Sequence, residues 1–109
     1  MSKVLNIVAE QFEKEVTQSK VPVLVDFLAP WCRPCQMMGP VLDEVAKDVG
    51  DKATIIKIDI ENKQNIELAR TYEIMSIPSM KIFKGGEVVE EYVGMRSKED
   101  LVEGLRKVY

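Results

Sequence analysis

Trp31-Cys32-Arg33-Pro34-Cys35 holds both cysteines of the chain, and the rest of the sequence is ordered around it. An apolar run, Val21 to Ala29, leads into it, and a run with helical periodicity, Gln36 to Val49, follows. The pattern predicts a strand, a tight turn and a helix N-terminus, with both sulfurs on the turn. The unpaired N–H groups of a helix start carry partial positive charge. A thiolate there is stabilised, so its pKa falls and it becomes nucleophilic near neutral pH. Pro34 has no N–H to lose and a helix-compatible φ, which suits the first helical turn. The second sulfur is near enough to attack a mixed disulfide formed on the first, which makes the pair a reversible dithiol–disulfide switch.

Other uses of two cysteines fit less well. A structural disulfide closing so short a loop adds about 2 kcal/mol by the chain-entropy relation, against ~3 for a fifteen-residue loop. Zinc or an iron–sulfur cluster needs more ligands, and the chain has no histidine and no third cysteine, so only a dimer sharing two pairs would supply them. Haem attachment wants a histidine after the second cysteine, where Gln36 stands.

Working outward, Val23 to Ala29 is apolar on both faces and predicts a central buried strand. Asp26 is its one charged residue. An ionised carboxylate is costly to bury, so Asp26 should hold its proton more tightly than in water. Two readings stand: a general base near the second sulfur, or a carboxylate paired with a lysine for structural reasons. Lys57, inside a second apolar strand over Ala53 to Ile60, is the candidate partner.

After the cysteines, Met38, Val41, Leu42, Val45, Ala46 and Val49 form one helical stripe, Pro40 should kink it, and Gly50 stops it. Before them, Val4-Leu5 is a short apolar piece, and Val8, Phe12 and Val16 are spaced for one face of a short amphipathic helix that ends before Pro22. Asn62 is placed to cap a short helix running to Tyr72, with Ile66 and Ala69 inward. Ser79 to Lys84 and Glu87 to Val93 flank Gly85-Gly86 as a hairpin. Ser97, with Asp100 three residues on, caps a last helix buried through Leu101, Leu105 and Val108 and weakened modestly by Gly104. This order predicts a mixed central sheet with helices on both faces, the reactive turn lying at a strand's C-terminal end.

The chain of 109 residues reads as a single domain over 1–109, 46% hydrophobic and 30% charged, with net charge −3. No basic patch points to nucleic acid. Met1 to Asn6 lacks the pattern of a secretory signal, and no run approaches the ~18–20 apolar residues of a membrane span. The expected setting is cytoplasmic, soluble and reducing.

Across its whole length the chain resembles the thioredoxin family. The resemblance rests on Asp26-Phe27, Ala29-Pro30-Trp31-Cys32, Pro34-Cys35, Pro40, Asp43-Glu44, Lys57, Ile77-Pro78, Phe83-Lys84, Gly86 and Gly94. It implies a five-stranded mixed sheet with four flanking helices, and a redox carrier with protein-disulfide reductase activity. Cys32 would be the exposed nucleophile and Cys35 the resolving cysteine. Asp26 would exchange a proton with Cys35 through water, with Lys57 tuning it. Pro78 would be cis, and Trp31, Met75, Ile77, Pro78, Val93 and Gly94 would form an apolar docking surface, while Trp31, Arg33, Pro34 and Pro78 tune the site. A monomer with no cofactor and no metal is implied, with electrons arriving from a thioredoxin reductase. Clients would be of the ribonucleotide reductase, peroxiredoxin and methionine sulfoxide reductase kinds.

The chain departs from the family pattern at Arg33, usually Gly, and Gln36, commonly Lys; Leu28 and Ser79 also differ, from an aromatic and a Thr. Arg33 and Gln36 bear on redox potential and partner choice. A thiol oxidase or disulfide isomerase, and a binding module indifferent to its sulfurs, are the alternatives. A redox titration separates the first, and a double Cys→Ser variant the second.

Overall fold

Strand β2 (Val23–Leu28) is the middle strand of a five-stranded sheet in a computed structural model that describes residues 3–109. Met1 and Ser2, part of the stretch read for a signal, lie outside the described residues. The strand order is β1-β3-β2-β4-β5. β1 (Val4–Asn6) and β2 both run parallel to β3 (Thr54–Asp59). β4 (Ser79–Lys84) runs antiparallel to β2, and β5 (Glu87–Val93) antiparallel to β4. The expected mixed sheet is present. β2 is buried on both faces because it is paired on both edges and covered above and below.

One face carries Leu24, Ile55, Met80 and Ile82 under α1 (Arg33–Val49) and α3 (Lys98–Arg106). Met38, Leu42, Val45, Ala46 and Val49 are the buried stripe of α1, and the helix runs through Pro40 without interruption. Gly50 caps its end, and its N–H donates to the Ala46 carbonyl. α3 begins where the Ser97 hydroxyl accepts the Asp100 N–H at 3.1 Å, as its sequence predicts.

The opposite face carries Val25, Phe27, Ile56, Ile58 and Phe83. The segment over them is helical but not an α-helix: a 3-10 turn, Ala9–Gln11, passes into a π-helical turn, Glu13–Thr17. Spacing of four placed Phe12 and Val16 correctly, since both are buried. The change of pitch lets Phe12 meet Phe83 edge-on, centroids 5.6 Å apart.

α2 (Ile66–Thr71) corrects the sequence reading. Asn62 does cap this region, accepting the Gln64 N–H at 2.9 Å, but it caps a 3-10 turn that precedes the α-helix. Ile66 is exposed, and Leu68 and Tyr72 face the core instead. The buried Asn65 side chain ties the start of this helix to its surroundings. Its Oδ1 accepts the Ala9 N–H at 2.7 Å and its Nδ2 donates to the Asp59 carbonyl at 2.9 Å. Gly85 and Gly86 turn the hairpin at φ 60 and 84, conformations open to glycine and costly for side chains. Gly104 is more than a weak point in α3. A Cβ there would fall on the Tyr92 hydroxyl and 3.0 Å from Ile82 Cδ1, so the helix lies on β5 through a missing side chain.

Candidate active site

Beyond Leu28 the chain leaves the sheet through Ala29-Pro30-Trp31 and enters α1 at Cys32, its N-cap. The Cys32 N–H donates to the Ala29 carbonyl at 3.2 Å, closing the turn. The Cys32 Sγ accepts the Cys35 N–H at 3.2 Å. A sulfur thus occupies the place of a capping oxygen, so a thiolate at Cys32 would receive an orphan donor and the positive end of the helix. Pro34 stands in the first helical turn without breaking it, as expected. Cys35 is already inside the helix. The two cysteines form a disulfide, with Cα atoms 5.2 Å apart.

The expectation of an exposed Cys32 is not met in this disulfide form. Cys32 is 5% exposed and Cys35 4%. Leu28, Ala29, Ile60 and Ile77 pack around the pair, and each cysteine covers the other. What separates the two sulfurs is the N–H held by Cys32 rather than solvent exposure. Arg33, first in the helix, is exposed and in no ion pair among the described residues.

Asp26 is fully buried on the α1 side of β2, in the same strand-side row as Leu24. Its neighbours in register are Lys57 on β3 and Met80 on β4. Neither carboxylate oxygen has a hydrogen-bond partner. The structural ion-pair reading therefore falls. Burial pushes the Asp26 pKa from 3.8 up to about 7, against the smaller opposing pull of the Lys57 charge. Lys57 reaches toward α1, where its Nζ lies 3.7 Å from the position a Cβ would take on Gly39. It shares a cleft of about 310 Å³ with Pro30, Cys35, Gln36 and Asp59. At the mouth of the active turn, Gln36 Nε2 donates to the Pro30 carbonyl at 2.7 Å.

The second wall of the site comes from the other half of the chain. The Ile77-Pro78 peptide is cis, as the resemblance implied. The Pro78 carbonyl accepts the Gly94 N–H at 2.8 Å, which ties the start of β4 to the end of β5. Ile77 reaches the cysteines. Trp31, Met75 and Val93 are exposed, at 67%, 92% and 57%, while Ile77 and Gly94 are half-buried. Pro78 is buried, so it shapes the surface without offering its ring to it.

The sequence reading missed Ile60, which packs on the cysteines from the end of β3. It also missed a groove of about 600 Å³ beside Ile60, with Ile66, Ala69, Ile74 and Met75 on its walls. The signal was Ile66, an apolar residue outside the stripe that Leu68 and Tyr72 define. Glu73, on the rim of that groove, holds φ 51, unusual for a residue with a side chain. Among the described residues no cluster suits a metal ion, and no helix is long and apolar enough to cross a membrane.

Residues 3–107 match the family model described as Thioredoxin. A thioredoxin of Bacillus subtilis (strain 168) is 46% identical over 98 residues, 90% of each chain. Thioredoxin 1 of Nostoc sp. (strain PCC 7120) is 43% identical over 107 residues, 98% of each chain. A thioredoxin of Rickettsia bellii is 42% identical over 100 residues, 92% of this chain and 93% of the relative. With a paired Cys32 and Cys35 at a helix N-terminus and this match along its length, the protein is a dithiol–disulfide oxidoreductase, and the chain belongs to the thioredoxin family.

Proposed function

We propose that this chain carries an electron pair from a thioredoxin reductase to disulfides in client proteins, in the cytoplasm. The reading rests on one observation: the Cys32 sulfur caps α1 by accepting the Cys35 N–H. In the reduced protein the same donor stabilises the Cys32 thiolate, which attacks a client disulfide and expels one client thiolate. Cys35 then attacks the Cys32 sulfur of the mixed disulfide, restoring the internal disulfide and releasing the second client thiolate. The Cys35 proton goes to Asp26, whose pKa of about 7 suits it both to accept and to give a proton near neutrality. Lys57 limits how far that pKa rises. Trp31, Met75, Ile77, Val93 and Gly94 receive the client, with the Pro78 turn holding the Ile77 backbone beside the sulfurs. Enzymes that form a disulfide each turnover, of the ribonucleotide reductase, peroxiredoxin and methionine sulfoxide reductase kinds, are the client class.

Reduction of insulin disulfides with dithiothreitol as electron source tests the reading. The parent should turn over many equivalents, Cys32→Ser none, and Cys35→Ser should accumulate as a mixed disulfide because resolution is gone. A Cys32/Cys35 double serine variant as active as the parent overturns it. Arg33 favours one neighbouring reading, a thiol oxidase or isomerase, since a cation beside Cys32 raises the potential; titration in glutathione buffers separates the two.

A further inference from the structure

We propose that Gln36 is a positioning residue that shields Cys35, its side-chain amide closing the mouth of the cleft that leads from solvent to that cysteine. The inference rests on the reading above, in which Cys32 meets the client and Cys35 waits. Exposure does not supply that asymmetry, because the two cysteines are buried alike. Cys35 is moreover the one that lines the cleft shared with Lys57 and Asp59. A route to the waiting sulfur therefore runs through a cleft that neither Ile77 nor the docking residues line.

Pro30 and Gln36 both line that route, and the 2.7 Å bond from Gln36 Nε2 to the Pro30 carbonyl joins them. The bond spans the whole reactive turn, from the residue before Trp31 to the residue after Cys35. The Gln36 backbone is already fixed, its N–H donating to the Cys32 carbonyl at 3.0 Å. Only the side-chain torsions remain free, and the amide bond holds them across the opening. Gly39, one turn further along α1 and beside Lys57 Nζ, adds no side chain next to Gln36, so Gln36 is the one long α1 side chain that lines the cleft. A bond of this kind shifts an open–closed equilibrium by roughly two- to tenfold. Labelling of a shielded thiol follows the open population when opening is fast.

The test uses the full chain in a Cys32→Ser background, where Cys35 is the single thiol, and measures iodoacetamide labelling across pH. Gln36→Met keeps the length of the side chain and loses the donor. Its plateau rate at high pH should exceed that of the Gln36 parent by roughly two- to tenfold, with the midpoint pH unchanged. Gln36→Lys, which can again donate to the Pro30 carbonyl, should return toward the parent. An unchanged plateau in Gln36→Met overturns the proposal. So does a shift of midpoint with no gain in plateau, or a lysine variant that labels as fast as the methionine one. Insulin turnover by the parent is measured beside it. A chain that fails there but shows the labelling pattern loses the catalytic reading and keeps the shield.

Discussion

Asp26 and Lys57 stand opposite one another on adjacent parallel strands, and no hydrogen bond joins them. The carboxyl is left alone in the core, with a cation at arm's length. Its pKa of about 7, against 3.8 in a model peptide, makes ionisation a cost to folding. The stability that neutral Asp26 confers is complete below about pH 3.8. It declines as pH rises toward 7, then levels off. The full difference is on the order of 4 kcal/mol. Asp26→Asn should therefore be more stable than the parent at pH 8 and similar to it below pH 4. On the proposed role of Asp26 as proton acceptor for Cys35, the same variant should reduce disulfides more slowly. Denaturant melts at the two pH values check this, and a less stable variant at pH 8 contradicts it.

Arg33 places a permanent cation next to Cys32 in sequence, at the start of α1. A cation favours the thiolate and so the reduced form, which makes the pair more oxidising. At ~6–8 Å and an effective dielectric constant of ~40–80, the attraction is on the order of 0.5–1.4 kcal/mol. Arg33→Gly should consequently have a potential roughly 10–30 mV more negative than the parent at pH 8 and low salt. The gap should narrow in high salt. A glycine variant of equal or less negative potential refutes the electrostatic account and leaves client choice as the role of Arg33.

Gly104→Ala pits helix propensity against packing. In an open helix the change is worth about 1 kcal/mol in favour of Ala. Here the new methyl would land on the Tyr92 hydroxyl, with Ile82 Cδ1 at 3.0 Å. Overpacking of this kind costs ~1–3 kcal/mol. The variant should have a lower urea midpoint than the parent, and adding Tyr92→Phe should restore much of the loss. Independent, additive effects of the two changes would show that the hydroxyl is not what the methyl meets.

Asn65 links the opening segment to the end of β3 through two hydrogen bonds. Asn65→Ala strands the Ala9 N–H and leaves the Asp59 carbonyl with the Asn62 N–H as its partner. At ~1–3 kcal/mol for the unsatisfied N–H and ~0.5–1.5 kcal/mol for the other lost hydrogen bond, the expected loss is about 2–4 kcal/mol. Equilibrium urea unfolding measures it, and hydrogen exchange should place the extra opening at Ala9. A loss under 1 kcal/mol means that water replaces the amide.

The sequence made the strand–turn–helix around Cys32 legible because each piece carries its own local signal: a two-faced apolar run, a proline, a helical stripe. The same holds for the hairpin, where Gly85-Gly86 is a direct statement about φ. Features that depend on distant contacts were hidden. Nothing in Val8–Phe12–Val16 distinguishes an α-turn from a 3-10 turn passing into a π-turn; Phe83, far along the chain, helps to settle the pitch. Asn65 carried no signal in the sequence, since its two partners, Ala9 and Asp59, come from other segments. Gly104 read as a helix weakness because Tyr92 was not yet beside it. At the site, Asp26 was legible as the one charge in a buried run. The burial of Cys32 was not, since its cover comes from Ile60 and Ile77 at the ends of other strands.

The antiparallel pairing of β2 with β4 brings Ile77 to the cysteines from the second half of the chain. Protein synthesis delivers the parts in the opposite order of safety. Both cysteines, and the segments that become β1, β2 and β3, are joined to the chain before Pro78 is added. During that interval the thiols lack the wall that Ile77 supplies. The site is thus finished late, when the last strands set Ile77 against a dithiol that was already made.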